Sequence, residues 1–343
     1  LELAQQFGDE RARALVQLAN AAVIKVRGRI ARHAIACDLR QGHFHAAVKP
    51  QHLEAMRREL ACLERLLGGY PSGAIVGAGQ VRDYVASPLY HGGFSDADGG
   101  HLHPLNYALG LAKAAREAGV RIFEDSAVTR LDPAGPVVAA TAAGKVTARH
   151  GVLACDAFMG ELVPDLGRMT MPVANYNVAT APLTDDQARA LIPSGAAVSD
   201  SKFVLNYYRL SADNRLIFGG GEKYSPRPPA NIEAFVRPYL ERVFPQLRGV
   251  AIDYGWGGMV GVTLNRLPHF GRLGECYFAH GWSGHGVLLT TLAGELIAEA
   301  MRGQAERFDL FADLPCPPFP GGPLLRHPLY VAGMLYYALR DRL

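Results

Sequence analysis

Charge of either sign is nearly balanced in this chain. The formal net charge is only +3, and no run of Lys or Arg occurs. A basic stripe is the footprint of nucleic-acid binding, so that class is excluded. Cysteine is sparse: Cys37, Cys62, Cys155, Cys276 and Cys316 are odd in number, widely spaced and free of C-x-x-C. A disulfide framework and a zinc ribbon are thereby excluded, and the usage fits a reducing cytosol, so a cytoplasmic location is expected. No apolar run approaches the roughly 20 residues of a membrane span, no signal peptide is visible, and there is no internal repeat or low-complexity tract. Also lacking is a strand, G-x-G-x-x-G turn and helix of the dinucleotide-binding kind. The nearest approach, Ala74-Ile-Val-Gly-Ala-Gly-Gln-Val-Arg82, has Gly77 and Gly79 but Arg82 where the third glycine belongs. Pro88 follows too soon for a long helix, so this stretch reads as a turn between short strands.

What is present is a chain 49% hydrophobic and 20% charged, able to bury a large core and expected to form two intertwined domains. Residues 1–33 read as one or two helices. A strand pair is expected at 35–40 and 43–48 around a Gln41-Gly42 turn, then a helix at 50–67 with Pro50 at its start and Gly68-Gly69 at its end. Residues 83–98 read as loop. A helix at 104–118, Gly119 and a strand at 120–124 suit an α/β layer. A small meander is expected at 127–150 and a short buried strand at 151–155. Strands are expected at 174–181, 202–210, 215–219 and near 250–255, with helices at 184–191 and 232–243. The proline-rich stretch from Pro315 to Pro323 excludes regular structure, and a last helix is expected at 329–343.

Two segments carry the clearest functional signal. Tyr277-Phe-Ala-His-Gly-Trp-Ser-Gly-His-Gly286 reads as a strand entering a glycine-rich turn. The next residues, through Arg302, repeat apolar positions at helical spacing: Leu289, Leu292, Ala293, Leu296, Ile297 and Ala300. Such a junction presents unpaired N–H groups and the positive end of a helix dipole to an anion or a developing negative charge. An ordinary strand–turn–helix junction has the same pattern.

Together with Gly100-His-Leu-His-Pro-Leu-Asn-Tyr107, Tyr90-His-Gly-Gly93, Phe218-Gly-Gly-Gly221 and Leu267-Pro-His-Phe-Gly271, this segment resembles the FAD-dependent D-amino-acid oxidase/glycine oxidase (DAO) superfamily. The branch it resembles most is the γ-glutamylputrescine oxidase-like one. The resemblance implies α/β plus α+β architecture: a glutathione-reductase-type FAD-binding domain, its first βαβ missing, interleaved with an antiparallel-sheet substrate domain. The implied division is a helical segment of the FAD domain at 1–34, substrate-domain segment at 35–95, FAD-domain segment at 96–171, substrate domain at 172–270, C-terminal FAD-domain segment at 271–305, and tail with helix at 306–343. Because the sequence opens at Leu1 already in helical pattern, an N-terminally truncated flavoenzyme or a gene fragment is expected.

The cofactor implied is FAD. Carried over residue by residue, Gly281, Trp282, Ser283, Gly284, His285, Gly286 and Val287 approach the pyrimidine side of the flavin, where N–H groups stabilise charge developing near N1 and C2=O. His285 reads either as a charge near N1 or as a helix cap. Val128 falls at the adenine, and Ala154 and Cys155 end the strand beneath the cofactor; Cys155 reads as a redox thiol or a packing cysteine. Tyr90 and His91 fall on the substrate side, His91 as a carboxylate or amide contact or as a structural histidine among the chain's 12. His101 and His103 read as a helix-entry turn before Pro104 or as a ligand pair, and no metal is expected. The glycines of 219–221 let the backbone approach a flat ring or tolerate positive φ. Lys223 reads as an aid to O2 reduction or as a surface lysine. Trp256 is expected to line the site, and Arg266 to grip a carboxylate through its fork.

The implied reaction is oxidation of a C–N bond in an amine or amino acid, hydride passing to flavin N5 and electrons on to O2, giving H2O2, or to another acceptor. Sarcosine/glycine oxidase-like or D-amino-acid dehydrogenase activity is the alternative within that class. A non-catalytic remnant unable to hold FAD is the alternative outside it. An exposed apolar edge is expected near 120–125, 151–155 and 276–280.

Overall fold

The structure is a computed structural model that describes residues 1–160, 162–222 and 227–342. Along the chain run α1 Glu2–Phe7, α2 Asp9–Arg32, β1 Arg40–Ala46, α3 Pro50–Leu67, β2 Gly73–Gly77, β3 Gly92–His101, α4 Pro104–Glu117, β4 Val128–Asp132, β5 Val137–Thr141, β6 Lys145–Ala148 and β7 Gly151–Leu153. Then come α5 Pro164–Gly167, β8 Thr170–Thr180, α6 Asp185–Leu191, β9 Ala197–Asp200, β10 Tyr207–Leu210, β11 Leu216–Glu222, α7 Ile232–Val243 and β12 Ile252–Thr263. The chain continues with β13 His269–Leu273, β14 Cys276–His280, α8 Gly286–Met301, α9 Glu306–Ala312 and α10 Gly322–Arg342.

Local chemistry sets many of these boundaries. Proline takes the first position of α3 and α4, where its missing N–H costs nothing. Gly68 ends α3 in the left-handed region at φ 75°. Thr184 and Gln187 form a reciprocal capping box on α6, and the Asn231 side chain accepts from Ala234 N–H to start α7.

The dominant element is an eight-stranded sheet in the order β12-β8-β11-β10-β9-β1-β3-β2, antiparallel except for the β1–β9 pair. Side chains alternate across it. Phe44, Tyr176, Val178, Val198, Tyr208 and Phe218 point to one face, where they meet Val236, Leu240, Val243 and Phe244 of α7 and its exit in the main core. A second, three-stranded sheet, β13-β14-β7, places β14 between antiparallel β13 and parallel β7. Helices α2, α8 and α9 cover it through Leu15, Ala22, Leu292, Leu296 and Phe308. Strands β4, β5 and β6 form a separate meander.

Several expectations are corrected. Residues 35–39 form no strand: Ile35 N–H bonds to Ile30 O and His103 N–H to Cys37 O, so this backbone finds partners in a loop under α4. Residues 201–206 form a loop, because the buried Asp200 carboxylate accepts from Lys202 N–H at 3.3 Å, Asn206 N–H at 3.0 Å and Asn206 Nδ2 at 2.7 Å. The stretch 92–98 is strand instead of loop, because β3 fits between β1 and β2. No strand forms at 120–124, where no described strand pairs with it and Val120, Ile122 and Phe123 are exposed. Val152 is exposed as well, whereas 276–280 is buried. Strand β9 and helix α9 were not foreseen, β12 is longer than expected, and α10 starts at Gly322.

Candidate active site

A cavity of about 740 Å³ lies against the other face of the large sheet. Its floor carries the alternate residues of the same strands: His43 of β1, Ser199 of β9, Tyr207 and Arg209 of β10, Asn177 of β8 and Trp256 of β12. Pairing sets them in rows, with Trp256 opposite Asn177, Asn177 opposite Gly219, Gly219 opposite Tyr207 and Tyr207 opposite Ser199. The walls come from α2 (Val23, Val26), from the entry to α4 and from Gly284, Val287 and Leu288 at the start of α8.

The glycine turn before α8 is held from two sides. Asp156, at the end of β7 with φ 43°, accepts from Gly281 N–H at 2.8 Å, Trp282 N–H at 3.4 Å and Gly261 N–H at 3.1 Å. Ser283 N–H donates to Gly261 O at 2.9 Å, so the turn is fixed to β12. Gly281, at φ 75°, lies where a Cβ would meet Thr263 Cγ2 at 2.4 Å. His285 occupies the N-cap position, yet its side chain makes no capping hydrogen bond. Among the described residues, no side-chain cap closes the first N–H groups of α8.

Burial disfavours the charged form of His43 and His101 beside the cavity. Burial pushes His43 down to about 4, and the neighbouring His45, His285 and His101 push the same way. Its Nε2 pairs with Ser199 Oγ at 3.1 Å. His101 is lowered by burial, with its Nε2 3.1 Å from Gly195 O. His103 caps α4, its Nδ1 accepting from Asn106 N–H at 3.2 Å. Behind the turn, burial and then His269 push fully buried His280 down to about 4, and the two rings are joined Nδ1 to Nε2 at 2.9 Å. Burial also lowers Arg209.

Of the residues singled out in the sequence, the structure brings Trp256, Gly284 and Val287 to the cavity, and Gly281, Trp282, Ser283, His285 and Gly286 to the turn beside it. Tyr90 lies in the core on the opposite face of the sheet, where its hydroxyl accepts from Tyr208 at 3.0 Å and burial raises its pKa. His91 is exposed, its backbone N–H bonded to Ala47 O. Arg266 is exposed with its guanidinium 4.3 Å from the Phe203 ring centroid. Val128, Ala154 and Cys155 do not line the cavity; the first two are exposed, and burial raises the Cys155 thiol. Lys223 lies outside the described residues. The glycines after Phe218 make room for the chain's own side chains: a Cβ on Gly219 would meet Tyr207 Cζ at 2.2 Å, on Gly220 Asn206 Oδ1 at 2.6 Å, and on Gly221 Tyr239 Cε2 at 2.6 Å. Gly93 likewise gives way to Phe44 at 2.4 Å.

His43, Asn177, Ser199, Tyr207, Arg209 and Asp156 were missed. The available signal was polar residues at every second position: His43 and His45 around Phe44, Asn175 and Asn177 around Tyr176, Tyr207 and Arg209 around Tyr208.

Residues 3–300 match the DAO family of FAD dependent oxidoreductases. The chain is 46% identical over 320 residues to the gamma-glutamylputrescine oxidoreductase of Escherichia coli K12, covering 93% of this chain and 75% of that protein. It is 37% identical to the probable oxidoreductase OrdL of Haemophilus influenzae, covering 99% of this chain and 79% of the relative. The crystal structure of glycine oxidase from Geobacillus kaustophilus has the same fold, with a TM-score of 0.71 at 20% identity over 85% of this chain and 79% of that one.

Proposed function

This chain belongs to the DAO family of FAD dependent oxidoreductases, and from that premise we propose that it oxidises a C–N bond of an amine of the γ-glutamylputrescine kind in the cavity beneath α8. The observation that carries this reading is the uncapped start of α8, opening beside Gly284 and Val287 onto a cavity with a polar sheet face as its floor. The residues present fit the ring end of the cofactor. Open N–H groups at the positive end of a helix suit an acceptor that gains negative charge, and a cavity of about 740 Å³ has space for a flat ring and a substrate. Gly284, His285, Gly286 and Val287 are proposed to meet its pyrimidine edge, with Gly281, Trp282 and Ser283 shaping the turn. Val128, Ala154 and Cys155 are proposed for the adenosine half. A flavin held there would supply a two-electron acceptor for the hydride of the amine carbon, and the electron pair, with two protons, would leave to O2 as H2O2.

The chain's own residues supply orientation and dehydration. Asp156 holds the glycine turn against β12, so the N–H groups are fixed before any charge develops. The burial that keeps His43 neutral acts in the same direction on an amine beside it, favouring the unprotonated form that hydride loss requires. Product analysis tests the proposal: an aldehyde and H2O2 in equal amounts from γ-glutamylputrescine support it, and flavin-loaded protein that forms neither refutes it.

A further inference from the structure

One side of α10 is both apolar and open to solvent. Leu325, Leu329, Leu335 and Leu339 are each 46–58% exposed, and Tyr336 is exposed among them. None of these four leucines joins a hydrophobic core among the described residues. Leu325, Leu329, Tyr336 and Leu339 follow one another at steps of four, seven and three, which sets them along one side of a helix. Contacts elsewhere on the helix hold it to the molecule: Met334 is buried, and Arg326 Nη1 donates to Gly167 O at 2.9 Å. Ahead of it, Phe319 N–H donates to Arg168 O at 3.2 Å. Single exposed leucines are ordinary on a protein surface, whereas four on one helix make a patch.

The helix is also basic. Arg326, Arg340 and Arg342 stand in it against a single acid, Asp341, in a chain whose net formal charge is only +3. Among the described residues no helix is long and apolar enough to cross a membrane, so α10 is no span. Leucines along one side and an excess of arginine suit a helix that lies in the surface of a bilayer. Its apolar side then enters the acyl boundary while its cations stay at the headgroups. We infer that α10 docks the protein on an anionic lipid surface. A second copy of this chain is the poorer occupant. Paired helices take their specificity from opposite charges beside the apolar seam, and two copies of α10 bring together arginines with one aspartate each. Phospholipids such as phosphatidylglycerol supply the missing negative charge, and each arginine near such a surface strengthens attachment about fivefold. From Leu325 to Leu339 the helix advances roughly 21 Å, so the leucines meet a flat surface together.

Flotation with lipid vesicles tests the docking. The whole chain is mixed with vesicles of phosphatidylcholine alone, or of phosphatidylcholine and phosphatidylglycerol at about 7:3, and separated on a density gradient. The expected result is binding to the anionic vesicles at least about 10-fold stronger than to the neutral ones, and weakened by salt. Leu329→Ser combined with Leu339→Ser lowers that binding about 30-fold, because two leucine side chains no longer leave water. Arg340→Gln combined with Arg342→Gln lowers it on the anionic vesicles alone, about fivefold for each arginine. Thermal melts identify a variant that fails to fold, in which case the other variant carries the comparison. Protein that floats with neither vesicle, or a folded leucine variant that floats as well as the wild type, overturns the inference. A dimer in size-exclusion chromatography that the leucine substitutions convert to monomer, with no vesicle binding, overturns it and gives the face to a second copy. Amine oxidation is a separate readout that either result leaves intact.

Discussion

The two faces of the eight-stranded sheet are built from neighbouring residues with opposite fates. Toward α7, Tyr208 stacks on Phe218 at 5.5 Å and meets Phe244 edge-on at 5.0 Å, with its hydroxyl satisfied by Tyr90. One residue away on each strand, Tyr207, Arg209, Ile217 and Gly219 look into the cavity or border it. The first face is closed and apolar and accounts for the sheet's stability. The second opens onto a spacious cavity and carries polar side chains such as His43, Asn177 and Ser199, and it is the face on which chemistry can be placed. A single step in register exchanges them.

The largest expected effect lies on the closed face. Phe218→Ala removes a fully buried ring and is expected to cost about 3–5 kcal/mol in denaturant melts; a loss below 1 kcal/mol would erase the contrast. Next is the pH response of the open face. His43 has a folded-state pKa of about 4, below its ordinary 6.5. Between those values the unfolded chain binds the proton that the folded chain rejects. Stability is therefore full above pH 6.5, falls as pH falls toward 4, and loses nothing further below. The share of His43 is about 3 kcal/mol at pH 4, and His43→Asn is expected to flatten the curve by that amount. His280 contributes in the same window, so some slope persists.

Gly219→Ala sharpens the boundary between the faces. The new methyl meets Tyr207 at 2.2 Å and Asn177 Oδ1 at 2.5 Å, so about 1–3 kcal/mol of stability is expected to be lost. Tyr207 must also move into the cavity, so amine binding measured by calorimetry weakens more than the melt alone would imply. The smallest effect is that of Ser199→Ala, which removes the hydroxyl 3.1 Å from His43 Nε2. About 1 kcal/mol or less is expected in melts, with a larger change in the KM for the amine.

The helices were legible in the sequence because their boundaries are local. Pro50, Pro104 and the Thr184–Gln187 pair mark their starts by chemistry within one turn. The glycine turn was legible for the same reason. Tyr90 was placed on the substrate side by the family resemblance, but the fold puts its ring against Tyr208 in the core. Gly219 to Gly221 read as glycines that admit a flat ring or a positive φ; the rings beside Gly219 and Gly221 are those of Tyr207 and Tyr239, and Gly221 takes φ 75°. Arg266 was expected to grip a carboxylate; the fold sets its guanidinium over the Phe203 ring, a contact between residues 63 positions apart. Each of these depends on which strands become neighbours, a long-range outcome that spacing along the chain does not carry. Asp156 was missed because its three acceptor contacts reach residues more than a hundred positions away.

The most direct test is an anaerobic titration of FAD-loaded protein with γ-glutamylputrescine, followed at the flavin band near about 450 nm. Complete bleaching at one equivalent of amine per flavin, with colour restored by air, is the predicted result. Bound flavin that stays oxidised in excess amine would contradict the assignment of this cavity to amine oxidation.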